Sequence, residues 1–109
     1  MSGKPIGRLR HRLILEQSVP TPDGGGGVTG TWVQVAQIWG ALEPLSGRER
    51  VEAGRIAGRH MYDITIRYRG DVELSMRFRL GTRIFHILSA EDVDGRGRWL
   101  KTLCEEREL

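Results

Sequence analysis

Three histidines, one cysteine and a knot of carboxylates are the residues of this chain best suited to covalent or metal chemistry. They are spread along it. His11, His60 and His86 fall in three separate strand-like segments, and no Cys/His pair has zinc-site spacing. His86 sits in an apolar run, where an imidazole reads as a hydrogen-bonded core or interface group. Cys104 alternates with apolar neighbours near the end of the chain, the pattern of a buried thiol more than of a nucleophile. Glu91, Asp92 and Asp94 could hold a divalent cation, but they lack the spacing of a calcium loop and, beside Gly95 and Gly97, read as a solvated turn. No paired carboxylates and no Ser/His arrangement can be tied together. The expectation is a protein that is not an enzyme, with no catalytic residue, no metal and no cofactor.

Two other stretches could contact a ligand or partner. Residues 18–31, SVPTPDGGGGVTGT, hold two prolines and five glycines. With little apolar surface to dock, they read as a mobile Gly-rich loop or arm. A phosphate-cradling loop would need a Lys followed by Ser or Thr at a helix start, and neither occurs. In residues 46–59, Ser46 and Glu49 form a capping box that opens a candidate helix. Gly54 and Gly58 weaken it, and Val51, Ala53, Ile56 and Ala57 make only a thin stripe. This is a short helix or a flexible insertion. Its charges, Arg48, Glu49, Arg50, Glu52, Arg55 and Arg59, form either a solvated face or one that meets a partner or DNA.

The elements that must carry these residues are strands. Residues 9–17 alternate, with Leu9, His11, Leu13 and Leu15 on one face. Residues 32–42, WVQVAQIWGAL, are apolar in both registers, which predicts one face on the core and the other on a neighbouring subunit or covering segment. Tyr62, Ile64, Ile66 and Tyr68 point one way in residues 61–69. Val72, Leu74, Met76, Phe78 and Leu80 do so in residues 72–80, with further apolar strands at 83–90 and 99–105. About six strands in hairpin order, with one short helix or flexible insertion, predict a mainly β fold: a small closed or nearly closed antiparallel barrel.

Length and charge set the remaining bounds. A chain of 109 residues supports one core and a single domain spanning 1–109. Seventeen Lys and Arg against 14 Asp and Glu give a net charge of +3. Interspersed acids blunt any field for nucleic acid. The excess is almost wholly Arg, which suits interfaces and polyanions and also follows from a GC-rich genome. No stretch approaches the roughly 20 apolar residues of a membrane span, and the N-terminus has no secretory core, so a soluble protein assembled in the cytosol is expected.

Read in order, several stretches resemble one family. They are LRHRLILEQ, the Gly-rich loop, WVQVAQIWGALEPLSGRE from Trp32, YDITIRYR from Tyr62, and RIFHILSAEDVDGRGRWLKTLCEE from Arg83. Together they resemble the head-tail adaptor, head-closure or stopper proteins of tailed bacteriophages over nearly the whole chain. The resemblance implies a virion protein of the head-tail connector, assembled in the bacterial host cytoplasm and encoded by a phage, a prophage or a gene transfer agent. It further implies a ring below the portal that closes the DNA channel after packaging and docks the tail. The implied partners are a portal or adaptor ring protein, tail proteins, further copies of itself and nearby packaged double-stranded DNA, with no membrane. The insertion would face the channel or a neighbouring subunit through Arg48, Glu49, Arg50, Arg55 and Arg59. Trp32 and Trp39 are the aromatic candidates for the subunit interface. On a regular strand they face opposite ways, so at most one shares the core. The family pattern favours Trp39 for the core and leaves Trp32, beside the Gly-rich loop, as the better interface candidate. An OB-like nucleic-acid-binding module and a tail-completion protein of the same particle are the alternatives.

Overall fold

A computed structural model describes residues 9–22, 24–25, 28–45 and 60–107. Six strands form: β1 (His11–Pro22), β2 (Val28–Pro44), β3 (His60–Arg67), β4 (Arg77–Leu80), β5 (Arg83–Val93) and β6 (Trp99–Arg107). Every neighbouring pair is antiparallel, and the sheet closes in the order β1-β2-β3-β6-β5-β4. The expected mainly β, six-stranded closed sheet is what these residues build, and closure leaves β4 paired with β1. The segment 46–59, with its capping box and its arginines, lies outside the described residues, which contain no helix.

Period-two alternation drives the closure. Leu13, Leu15, Ile64, Ile66, Phe78, Phe85, Ile87, Leu100 and Cys104 meet in one buried cluster, with Met76 against them. Each large side chain withdrawn this way stabilises the fold by about 1.5–3 kcal/mol. Thr102 is the polar residue among them. Its hydroxyl donates to the Ile64 carbonyl at 2.8 Å, so its burial leaves no orphaned group.

Two bulges shift the alternation. Leu15 pairs with Ala36 but Glu16 pairs with Gln34, so Val35 is an extra residue in β2. Ile87 pairs with Cys104 and Ser89 with Leu103, so Leu88 is extra in β5. Gly40 is the crossing point of the barrel, paired with His11 on one side and Ile66 on the other. A Cβ there would lie 2.6 Å from Leu13 Cδ1 and 3.3 Å from Ile66 Cγ2, so the position has room for hydrogen alone.

Three expectations are corrected. The Gly-rich loop is shorter than residues 18–31, because the β1–β2 ladder continues to Pro22 and Val28. Past Glu16, β1 pairs with β2 alone among the described strands, and proline is tolerated on such an edge. The fourth strand is only Arg77–Leu80. Residues 73–76 form a turn closed by Met76 N–H to Glu73 O at 3.0 Å, and Leu74, expected on the inward face, is 57% exposed. Tyr68, also expected inward, is 43% exposed, because β3 ends at Arg67 and the next rung is the single bond from Tyr68 N–H to Arg98 O.

Candidate assembly surfaces

Since Phe78 and Phe85 point inward, the residues beside them point out. The register lines up two outer rows across β1, β4, β5 and β6: Glu16, Arg77, His86, Glu105, and beside it Ile14, Arg79, Ile84, Arg107. The two rows are tightly paired, both within the first and between them. One Glu16 oxygen accepts from Arg77 Nε at 2.7 Å and the other from Arg79 Nε at 3.0 Å. Glu105 accepts from Arg107 Nε and Nη2 at 3.0 and 2.8 Å. The Arg77 guanidinium lies 4.0 Å from the Trp32 ring centre, and the Trp32 ring meets His86 edge-on at 6.0 Å. These side chains cover one another so well that Glu16 and Glu105 are buried on the outside of the barrel, as is Ile84 between Arg79 and Arg107.

The electrostatics follow from that packing. Burial would raise the Glu16 carboxyl, but the hydrogen bonds and charges of Arg77 and Arg79 outweigh it and hold the group below its ordinary value. Burial pushes His86 down, the charges of Arg107 and Arg77 add to that, and Glu105 only partly opposes them. The imidazole is thus harder to protonate than a free one. This surface is a polar layer in which Arg77, Arg79 and Arg107 each meet a carboxylate of the same molecule.

The other outer surface is open. Trp39 is 51% exposed and, with Leu9, Ile38, Arg67, Tyr68 and Arg69, lines a hollow of about 270 Å³. Arg12 lies over the Trp39 ring at 5.5 Å, and Arg67 over the buried Trp99 ring at 5.3 Å. Arg69 is tied to Asp71 by two hydrogen bonds of 3.0 and 2.9 Å. Where β3 begins, Arg83 donates to Glu106 at 2.9 Å and to the Tyr62 hydroxyl at 2.9 Å, with its guanidinium 5.0 Å from the Phe85 ring centre.

The expected core position of Trp39 is corrected. Trp32 pairs across from Ser18 and Trp39 across from Arg12, so both lie on the outer face, because the extra residue Val35 between them shifts the alternation by one. Trp39 is therefore not a core residue, and Trp32 is half-buried against Arg77 and His86. Arg48, Glu49, Arg50, Arg55 and Arg59 lie outside the described residues. Cys104 is the buried thiol expected, pushed up to about 12 by burial. Asp92 accepts from the Gly97 N–H with both carboxylate oxygens, at 3.0 and 2.9 Å, and so serves its own turn. No group of three potential metal ligands occurs among the described residues. The Glu16–Arg77–Arg79 triad was missed in the sequence, since Glu16 looks like any polar residue of an alternating strand. Its one visible signal is the pair of arginines flanking Phe78.

Among the described residues no helix is long and apolar enough to cross a membrane. The chain is similar to protein SF1141 of Shigella flexneri 2a, whose solution structure gives a TM-score of 0.72 at 28% identity, covering 94% of this chain and 96% of that one. It is also similar to a chain in the virion of a native gene transfer agent particle, with a TM-score of 0.67 at 29% identity, covering 92% of this chain and 96% of that one. A search of curated proteins found no match. The family model described as phage head completion protein matches residues 4–107, nearly the whole of a chain whose fold is the closed sheet described above, and the chain belongs to that family.

Proposed function

We propose that this protein is a virion structural protein of the head-tail connector. It forms a ring below the portal that closes the DNA channel after packaging and offers the docking surface for the tail. The family match over residues 4–107 carries this reading. The likeness to a chain of a gene transfer agent virion supports a place in a phage-like particle. The surface supports a role in assembly: one outer face is closed by its own ion pairs, while the exposed Trp39 and Tyr68 are aromatics of the kind that anchor protein interfaces. The protein acts by binding its neighbours, and no chemical step is assigned to it.

The test is deletion of the gene in a strain that produces the particle, followed by electron microscopy and DNA measurement. DNA-filled heads that lose their genome, beside unattached tails, are the expected outcome. Stable filled heads beside tails of abnormal length would assign the protein to tail completion. Normal tailed particles would refute a role in the particle.

A further inference from the structure

The positive charges of this barrel are unevenly matched. Arg69, Arg77, Arg79, Arg83, Lys101 and Arg107 each meet a carboxylate of the same molecule. Five others meet none among the described residues, Arg10, Arg96 and Arg98 on exposed chain and, beside the hollow, Arg12 and Arg67. These last two lie instead over indole rings, at 5.5 Å from Trp39 and 5.3 Å from Trp99, which leaves their N–H edges available for an anion. Arg67 lines the 270 Å³ hollow, and Arg12 covers its Trp39 wall. An apolar recess large enough for one or two side chains is thus lined by Arg67 and by Arg69, whose charge Asp71 meets, and Arg12 adjoins it over the Trp39 ring.

We propose that this hollow receives a large apolar side chain from an acidic segment of a neighbouring protein, whose carboxylates meet Arg12 and Arg67. This rests on the reading that the protein works by docking inside a particle, and it specifies the partner's chemistry. Charge complementarity selects an acidic occupant. The recess selects a protein over a nucleic acid, since Leu9, Ile38, Trp39 and Tyr68 form a concave apolar wall suited to a side chain, whereas a phosphate backbone calls for a row of cations along a groove. The backbone that carries Trp39 and Tyr68 is held by the β2 ladder and by the Tyr68–Arg98 bond, so binding need order only side chains.

The experiment measures fluorescence anisotropy of the labelled peptide EDLFED against the purified protein, with the neutral peptide SNLFNS and the oligonucleotide dT6 as controls. The acidic peptide should bind at least tenfold tighter than the neutral one. Trp39→Ala should weaken it tenfold or more, and the Arg12→Gln, Arg67→Gln double variant should lower it to the level of SNLFNS. Thermal melting confirms that each variant is folded, and the arginine pair, being exposed, provides a second route if Trp39→Ala is not. Equal binding of the two peptides, tighter binding of dT6, insensitivity to both variants, or Trp39-dependent self-association in place of peptide binding would each overturn the proposal. Particle assembly scored with the same variants separates this from the broader reading. A variant that loses the peptide yet completes particles normally refutes the hollow alone, whereas normal particles without the protein refute the role itself.

Discussion

Glu16 gives the sharpest test of how the outer face is held together. Replacing it with Gln keeps the shape and removes the charge that faces two guanidiniums. The Arg77 side chain is 12% exposed, so its bond at 2.7 Å is nearly desolvated, and losing a charge-assisted bond of that kind costs about 2 kcal/mol. The Arg79 side chain is 37% exposed, and its 3.0 Å contact is screened by water, which limits it to roughly 0.5 kcal/mol. Trp32 continues to cover Arg77 and keeps the loss below the roughly 3–5 kcal/mol of a fully buried broken pair. The expected destabilisation is therefore about 2–3 kcal/mol, or about 10–20 °C in melting temperature for a domain of this size. Urea and thermal unfolding of Glu16→Gln, Arg77→Met and the double variant measure it directly. Strong positive coupling should appear, with the double variant less damaged than the sum of the singles. A Glu16→Gln protein melting within about 2 °C of wild type, or a cycle with no coupling, would refute this account.

The Glu16 contribution should be fully present above pH 4.5 and should disappear as pH falls through the lowered folded value, giving an acid-unfolding slope that Glu16→Gln flattens in titration monitored by circular dichroism. His86 works in the same direction at higher pH. Its folded value lies below the ordinary 6.5, so the unfolded chain protonates first and stability declines as pH drops from about 6.5, a slope that His86→Gln should remove. Gly40→Ala should destabilise by about 1–3 kcal/mol, because its methyl would lie 2.6 Å from Leu13 Cδ1, and a melting curve reads the loss. Cys104 should resist a thiol reagent at pH 8 in the folded protein and react stoichiometrically in urea, since its thiol is buried and pushed up to about 12.

Much of the barrel was legible because burial on one face leaves a period-two record. Ile64 and Ile66, Phe78, and Leu13 with Leu15 were placed on inward faces by alternation, and all are buried. The bulges were not legible, because an extra residue leaves no compositional mark. Val35 is one more valine in an apolar run, yet it decides where Trp32 and Trp39 point. The extent of β4 was hidden for a different reason. Residues 72–76 alternate like a strand, but β1 pairs with β4 only from Ile14 to Glu16, so the chain turns at Glu73–Met76. The outer triad was illegible since its three members come from two strands roughly sixty residues apart, Glu16 bonding to Arg77 and Arg79. The hollow beside Trp39 required Leu9, Ile38 and Tyr68 to converge from three parts of the chain.

The single extra residue at Val35 gives β2 two independent reading frames. Downstream of it, even-numbered positions such as Ile38 and Leu42 pack against the core, Ile38 reaching the hollow as well, and Gly40 sits at a crossing that admits no side chain. Upstream, the even-numbered Trp32 faces outward opposite Ser18. The hairpin end can thus exchange its surface residues without rephasing the barrel. A strand built this way lets a small closed sheet vary the surface of its projecting end while the packing that keeps it closed stays fixed.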